Sequence, residues 1–129
     1  PYIEDVFIQP DLRRKRLTVT VSLSEPGTVR AEIAGTSYAV EQPAGKFLLE
    51  FPEFTLWTPE TPVTYTLGVS TAADAVDVAF GMREVTVRDQ RFYLNNHPVY
   101  LRGAGYDVEY PGALAAPDSA DLLRKEILA

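Results

Sequence analysis

The sequence predicts an all-β chain: an antiparallel β-sandwich of about seven strands, followed by a C-terminal hairpin and a short helix. Three observations carry this. Apolar residues fall on every second position in several short runs, turn-forming residues separate those runs, and after Gly112 the pattern changes to one that suits a helix. Strict alternation buries one face of a strand and wets the other, as in antiparallel sheets covered on one side.

The strands are expected at Tyr2 to Gln9, Arg16 to Leu23, Thr28 to Ile33, Lys46 to Phe51, Val63 to Ser70, Val76 to Phe80 and Glu84 to Val87. Leu17, Val19, Val21 and Leu23 alternate with Thr18, Thr20 and Ser22, and Val63, Tyr65, Leu67 and Val69 repeat the pattern. Turns are expected at Pro10-Asp11, Glu25-Pro26-Gly27, Ala34-Gly35, Gln42-Pro43-Ala44-Gly45 and Thr58 to Pro62, where Pro fixes φ and Gly accepts positive φ. Seven strands so punctuated in roughly 90–100 residues fit an immunoglobulin-like sandwich. Further on, Arg91 to Leu94 and Pro98 to Leu101 flank Asn95-Asn96-His97, a polar connection suited to closing a hairpin. Asp118 or Ser119 can cap a final helix, Asp121 suits its first turn, and Leu123 and Ile127 lie one turn apart on one face. No internal repeat or low-complexity tract interrupts this organisation.

Composition narrows the function. The chain has 129 residues, enough for one core, with 46% hydrophobic residues and a net charge of −6. Nucleic acid is an unsuitable partner for that charge, since phosphate binding needs an excess of Lys and Arg on one face. The basic run Arg13-Arg14-Lys15-Arg16 lies between two strand patterns and reads as a solvated turn. The chain contains no cysteine, which removes disulfides, thiol nucleophiles and cysteine-based metal sites. No run reaches the roughly 18 apolar residues that a membrane-spanning helix requires. Pro1 in place of a methionine and a final residue inside a helical pattern are expected of a piece of a larger protein.

Three phrases carry a resemblance. The first is Ile3-Glu4-Asp5-Val6-Phe7-Ile8-Gln9-Pro10. The second is Leu56-Trp57-Thr58-Pro59-Glu60-Thr61-Pro62-Val63-Thr64-Tyr65. The third is the stretch from Gly81 to Gly112, with Phe92-Tyr93-Leu94-Asn95-Asn96-His97-Pro98-Val99-Tyr100-Leu101-Arg102-Gly103 at its centre. In this order they resemble the family 2 glycoside hydrolases, the β-galactosidase, β-glucuronidase and β-mannosidase group. Their corresponding phrases are G-I-x-D-V-x-I-x-P, L-W-x-P-E-x-P-x-L-Y and F-x-L-N-G-x-P-x-x-L-R-G-x-N. The last of these joins the immunoglobulin-like sandwich to the first strand of the catalytic barrel.

The resemblance implies a sandwich over residues 1–88 and, over 89–129, a hairpin with the first strand and first helix of a truncated catalytic barrel. It implies adjacent sandwich and barrel domains of the same parent chain as partners, a carbohydrate substrate met only through the parent, and no cofactor. It also implies that the catalytic residues lie elsewhere. The family uses two glutamates, one of them in an Asn-Glu dipeptide, and the two asparagines here, Asn95 and Asn96, precede no carboxylate. Carried onto Gly103-Ala104-Gly105-Tyr106-Asp107-Val108-Glu109, the family's G-V-N-x-H-E-D loop keeps the first glycine and an acid at Glu109, while Gly105 replaces the asparagine, Asp107 the histidine and Val108 the glutamate. Tyr106 is similar to the aromatic of the β-mannosidase and exo-glucosaminidase branch. Tyr106, Asp107 and Glu109 are therefore candidate substrate contacts in a full-length enzyme, where barrel sites form at strand C-termini; ordinary polar loop residues are the alternative.

Two other groups invite a functional reading. Trp57 with Tyr38 and Tyr65 is either packing or a sugar-stacking platform, which would make the chain a carbohydrate-binding module; an adhesion-type domain is a third reading. His97, the sole histidine, is placed in the hairpin turn, where a turn role outweighs a ligand or general-base role.

Overall fold

Leu17, Val19 and Val21 are fully buried on one side of their strand, and Val29, Ala31 and Ile33 on one side of the next. This alternation organises the computed structural model, which describes residues 1–103, 105 and 119–128, without the side chains of 122, 123, 126 and 127. Its strands in chain order are β1 (Ile3–Asp11), β2 (Arg16–Leu23), β3 (Thr28–Ile33), β4 (Ala39–Pro43), β5 (Gly45–Glu50), β6 (Tyr65–Ser70), β7 (Ala75–Phe80), β8 (Val85–Arg88), β9 (Arg91–Leu94) and β10 (His97–Val99). One helix, α1 (Ala120–Leu128), follows, with Ser119 immediately before it and Asp121 in its first turn.

Seven strands form the sandwich. One sheet has the order β1-β2-β5 and the other β4-β3-β6-β7, and every pairing within them is antiparallel. Phe47 and Leu49 from β5, Leu67 and Val69 from β6, and Phe80 from β7 complete the core between the sheets. At its centre the ring of Phe51, wholly buried, meets Tyr65 at 4.9 Å, Tyr38 at 5.7 Å, Phe54 at 5.9 Å and Phe80 at 6.2 Å. Fully burying one such side chain stabilises by about 1.5–3 kcal/mol, and the edge-on ring contacts add to that. The core holds no buried polar side chain among the described residues, so the two sheets are joined by apolar packing.

The strand count agrees with expectation, but one member differs. Ala39–Pro43 is the seventh sandwich strand, while the Glu84 to Val87 run forms β8 and pairs with β9 instead. Within β4 just Val40 and Gln42 turn even partly inward, and Pro43 lacks the N–H of a central strand. An edge position tolerates both. From there the chain changes sheets in one step at Ala44, using Gly45 at φ 127°, a conformation open to glycine. Asp74 fastens the opposite side of the sandwich: its Oδ2 accepts from the Ile3 amide at 2.8 Å, tying β1 to the β6–β7 turn.

The remaining three strands form a separate sheet of order β10-β9-β8. Both connections are two-residue turns with positive φ at each central residue, Asp89 (46°) and Gln90 (61°), then Asn95 (49°) and Asn96 (68°). This is the geometry of type I′ turns, whose twist matches that of the flanking strands. Asn and Asp accept the left-handed region more readily than most residues. His97 consequently lies at the start of β10, paired with Leu94, and not in the turn.

Candidate functional site

The residues with the most connected geometry are those that hold the small sheet to the sandwich. Leu56 and Met82 form a parallel bridge, and the Trp57 amide donates to the Met82 carbonyl at 3.0 Å. The indole then lies directly over Gly81, where any β-carbon would fall 2.9 Å from its Cγ and Cδ1. The Arg83 guanidinium sits 4.3 Å from the ring centroid, a cation–π contact worth about 0.5–1 kcal/mol at an exposed position.

Asn95 completes the joint. Its Nδ2 donates to the Trp57 carbonyl at 2.8 Å, its Oδ1 accepts from the Glu84 amide at 3.0 Å, and its own amide donates to the Glu84 carbonyl at 2.8 Å. One residue thus closes the β9–β10 turn, extends the β8–β9 ladder and anchors both to the Trp57 backbone in the segment between β5 and β6. In the sequence the hairpin role of Asn95 is readable from its neighbours. Its contact with Trp57 is not, because the partners are 38 positions apart.

Between the sandwich end and the small sheet lies a cleft of 540 Å³, bordered by Leu12, Arg13, Phe54, Leu56, Thr86 and Arg88 among others. Arg88 is positioned by its Nη2 hydrogen bond to Asn96 Oδ1 at 2.8 Å and lies 4.1 Å from the Tyr93 ring centroid. The basic run beside the cleft is the solvent-facing turn expected: Arg13, Arg14 and Lys15 are exposed. Asp11 organises that turn, because the Arg14 amide donates to its Oδ1 at 2.9 Å and the Arg14 guanidinium to its Oδ2 at 3.2 Å. The amide bond chiefly, then the guanidinium, holds the Asp11 carboxyl below the ordinary carboxylate range, against the opposing effect of partial burial. Arg16 Nε stands 3.9 Å from the same carboxylate, too far for a hydrogen bond.

Tyr106, Asp107 and Glu109, the candidate substrate contacts, lie outside the described residues. The platform of Trp57, Tyr38 and Tyr65 is not assembled. Both tyrosine rings pack on Phe51, the Tyr65 hydroxyl accepts from the Thr55 amide at 2.8 Å, and Trp57 lies against Gly81 and Arg83. His97 is exposed at the head of β10, and no cluster of three or more potential metal ligands occurs among the described residues.

The model of the family described as glycosyl hydrolases family 2 matches residues 1–83, more than half of the chain. A β-galactosidase of Staphylococcus xylosus is 36% identical over 56 residues, which are 43% of this chain and 6% of that enzyme. Among solved structures, a β-glucuronidase of Faecalibacterium prausnitzii superposes with a TM-score of 0.71 at 27% identity, covering 98% of this chain and 22% of that one. A Ruminococcus gnavus β-glucuronidase solved with uronic isofagomine gives a TM-score of 0.74 at 20% identity, with the same coverage, and shows likeness of fold. The chain therefore spans about a fifth of the solved chains that it resembles.

Proposed function

We propose that this chain, which belongs to the glycosyl hydrolases family 2 as an immunoglobulin-like β-sandwich domain, is a non-catalytic spacer that sets the orientation of a catalytic barrel in a longer enzyme. The parent hydrolyses the O-glycosidic bonds of terminal β-linked sugars by the two-carboxylate retaining route, with both acids outside these residues. The observation that carries the reading is the Asn95 joint, in which one side chain fixes the small sheet leading out of the sandwich to the Trp57 carbonyl in the connection between β5 and β6. Such fixing has a catalytic use, because reacting groups misplaced by about 1 Å can lose on the order of a hundredfold in rate. The pairing of β8 with β9, and with neither sandwich sheet, supports drawing the division between sandwich and joint ahead of Val85 rather than after Arg88. Tyr106, Asp107 and Glu109 remain the proposed sugar contacts of the parent, on the strength of their place in the loop that follows the first barrel strand in the family, where Glu109 keeps an acid and Asp107 replaces a histidine.

The test is direct. Highly purified 129-residue chain, offered chromogenic aryl β-galactosides, β-glucuronides and β-mannosides, is expected to release no aryl group, while the full-length enzyme cleaves at least one. Turnover by the 129-residue chain itself would overturn the non-catalytic assignment.

A further inference from the structure

We infer that the cleft between the sandwich and the small sheet binds an aromatic monocarboxylate, whose ring lies along Phe54 and Leu56 and whose carboxylate meets Arg13 and Arg88. At 540 Å³ the cleft has the size of a small-molecule site, and such sites combine an apolar lining with a few polar groups that orient the ligand. Leu12, Phe54 and Leu56 supply the apolar wall here. Phe54 is braced from behind by its ring contact with Phe51 at 5.9 Å, and Leu56 is 40% exposed, so the wall is both firm and open.

The charges at the cleft select the head group. Its described lining holds two guanidiniums, Arg13 and Arg88, and one carboxylate, Glu84, which leaves a surplus of one positive charge in a chain whose net charge is −6. A single negative charge balances that surplus, whereas a dianion such as a phosphate monoester would meet Glu84 with its second charge unmatched. Arg88 is already oriented, since its Nη2 donates to Asn96 Oδ1 at 2.8 Å and its guanidinium lies 4.1 Å from the Tyr93 ring centroid; its remaining N–H groups bond to nothing among the described residues. The Arg13 side chain makes no hydrogen bond or ion pair among the described residues. A guanidinium fork pairs with a carboxylate through two parallel charge-assisted hydrogen bonds, and a fork held in place loses little freedom in doing so. Another cavity beside Asn95, of 320 Å³, has Glu60 and neither Arg nor Lys in its described lining, so it offers an anion no counter-charge.

The walls of the cleft come from three parts of the chain. Leu12 and Arg13 belong to the β1–β2 turn, Phe54 and Leu56 to the connection between β5 and β6, and Arg88 to β8. A ligand that touches all three ties the sandwich to the small sheet alongside Asn95, and its binding free energy adds to the stability of that joint.

Isothermal titration of the 129-residue chain with naphthylacetate tests the site. A Kd on the order of 0.1–1 mM is expected, with the uncharged counterpart naphthylethanol about tenfold weaker or worse. Arg13→Gln should weaken binding about tenfold, and because this side chain is exposed and bonded to nothing, the substitution leaves the fold intact. Arg88→Gln should cost at least as much. Lys46→Gln, an equal change of charge on the outer face of β5 and away from the cleft, should leave Kd unchanged. With ligand at about ten times Kd, the Glu84 amide, which donates to Asn95 Oδ1, should exchange its hydrogen about tenfold more slowly. The inference is overturned by the absence of saturable binding up to about 5 mM, by equal affinity for naphthylethanol, by equal weakening in Lys46→Gln and Arg13→Gln, or by unchanged Glu84 exchange in the complex.

Discussion

Gly81 lies so close under Trp57 that a β-carbon at position 81 would approach the indole Cγ and Cδ1 to 2.9 Å. The backbone at Gly81 is not in the left-handed region, so the requirement for glycine arises from this contact alone. Gly81→Ala must displace the indole or the backbone that carries it. Overpacking of this sort costs typically about 1–3 kcal/mol. The variant is expected to unfold at lower urea concentration with an altered Trp57 emission in its native state; an unchanged midpoint and spectrum would show that the joint is soft.

Asn95 offers a way to separate turn chemistry from anchoring. Asn95→Gly keeps the positive φ but removes both side-chain hydrogen bonds, each worth about 0.5–1.5 kcal/mol. Asn95→Ala removes the same bonds and adds left-handed strain of roughly 1–2 kcal/mol. Alanine should therefore be the more damaging of the two by urea unfolding. In both, the Glu84 amide should exchange its hydrogen faster than in the parent sequence. Equal stability of the two variants would mean that the turn relaxes out of the left-handed region.

The Asp11 turn gives a pH dependence of known sign. Because folding lowers this carboxyl's pKa, its contribution to stability is fully present above the unfolded value of about 3.9 and is lost as pH falls through the lower folded value. Asp11→Asn cannot ionise, while its side-chain oxygen can still accept from the Arg14 amide. The stability gap between Asp11 and the variant should be constant near neutrality and close below about pH 4, as read from urea midpoints. A gap that widens on acidification would contradict the assignment of that carboxylate to the turn.

Much of the sandwich was legible because its strands obey a two-residue period: Leu17-Val19-Val21, Val29-Ala31-Ile33 and Leu67-Val69 all occupy the core. Ala39–Pro43 escaped because an edge strand needs few inward apolar residues and tolerates proline, leaving it the same local signals as a turn. The Glu84 to Val87 run has good strand composition, but composition does not say which sheet a strand joins. At the candidate site the residue types were visible and their partners were not. Tyr38, Tyr65 and Trp57 suit a stacking platform as well as a core, and the contacts with Phe51 and Gly81 that decide between them are long-range.

The triple use of Asn95 has a mechanical corollary. Because the same side-chain amide bridges the Glu84 amide and the Trp57 carbonyl, the small sheet cannot swivel against the Trp57 segment without giving up one of those two hydrogen bonds. Resistance to turning is therefore set at the boundary itself, by two hydrogen bonds of about 0.5–1.5 kcal/mol each.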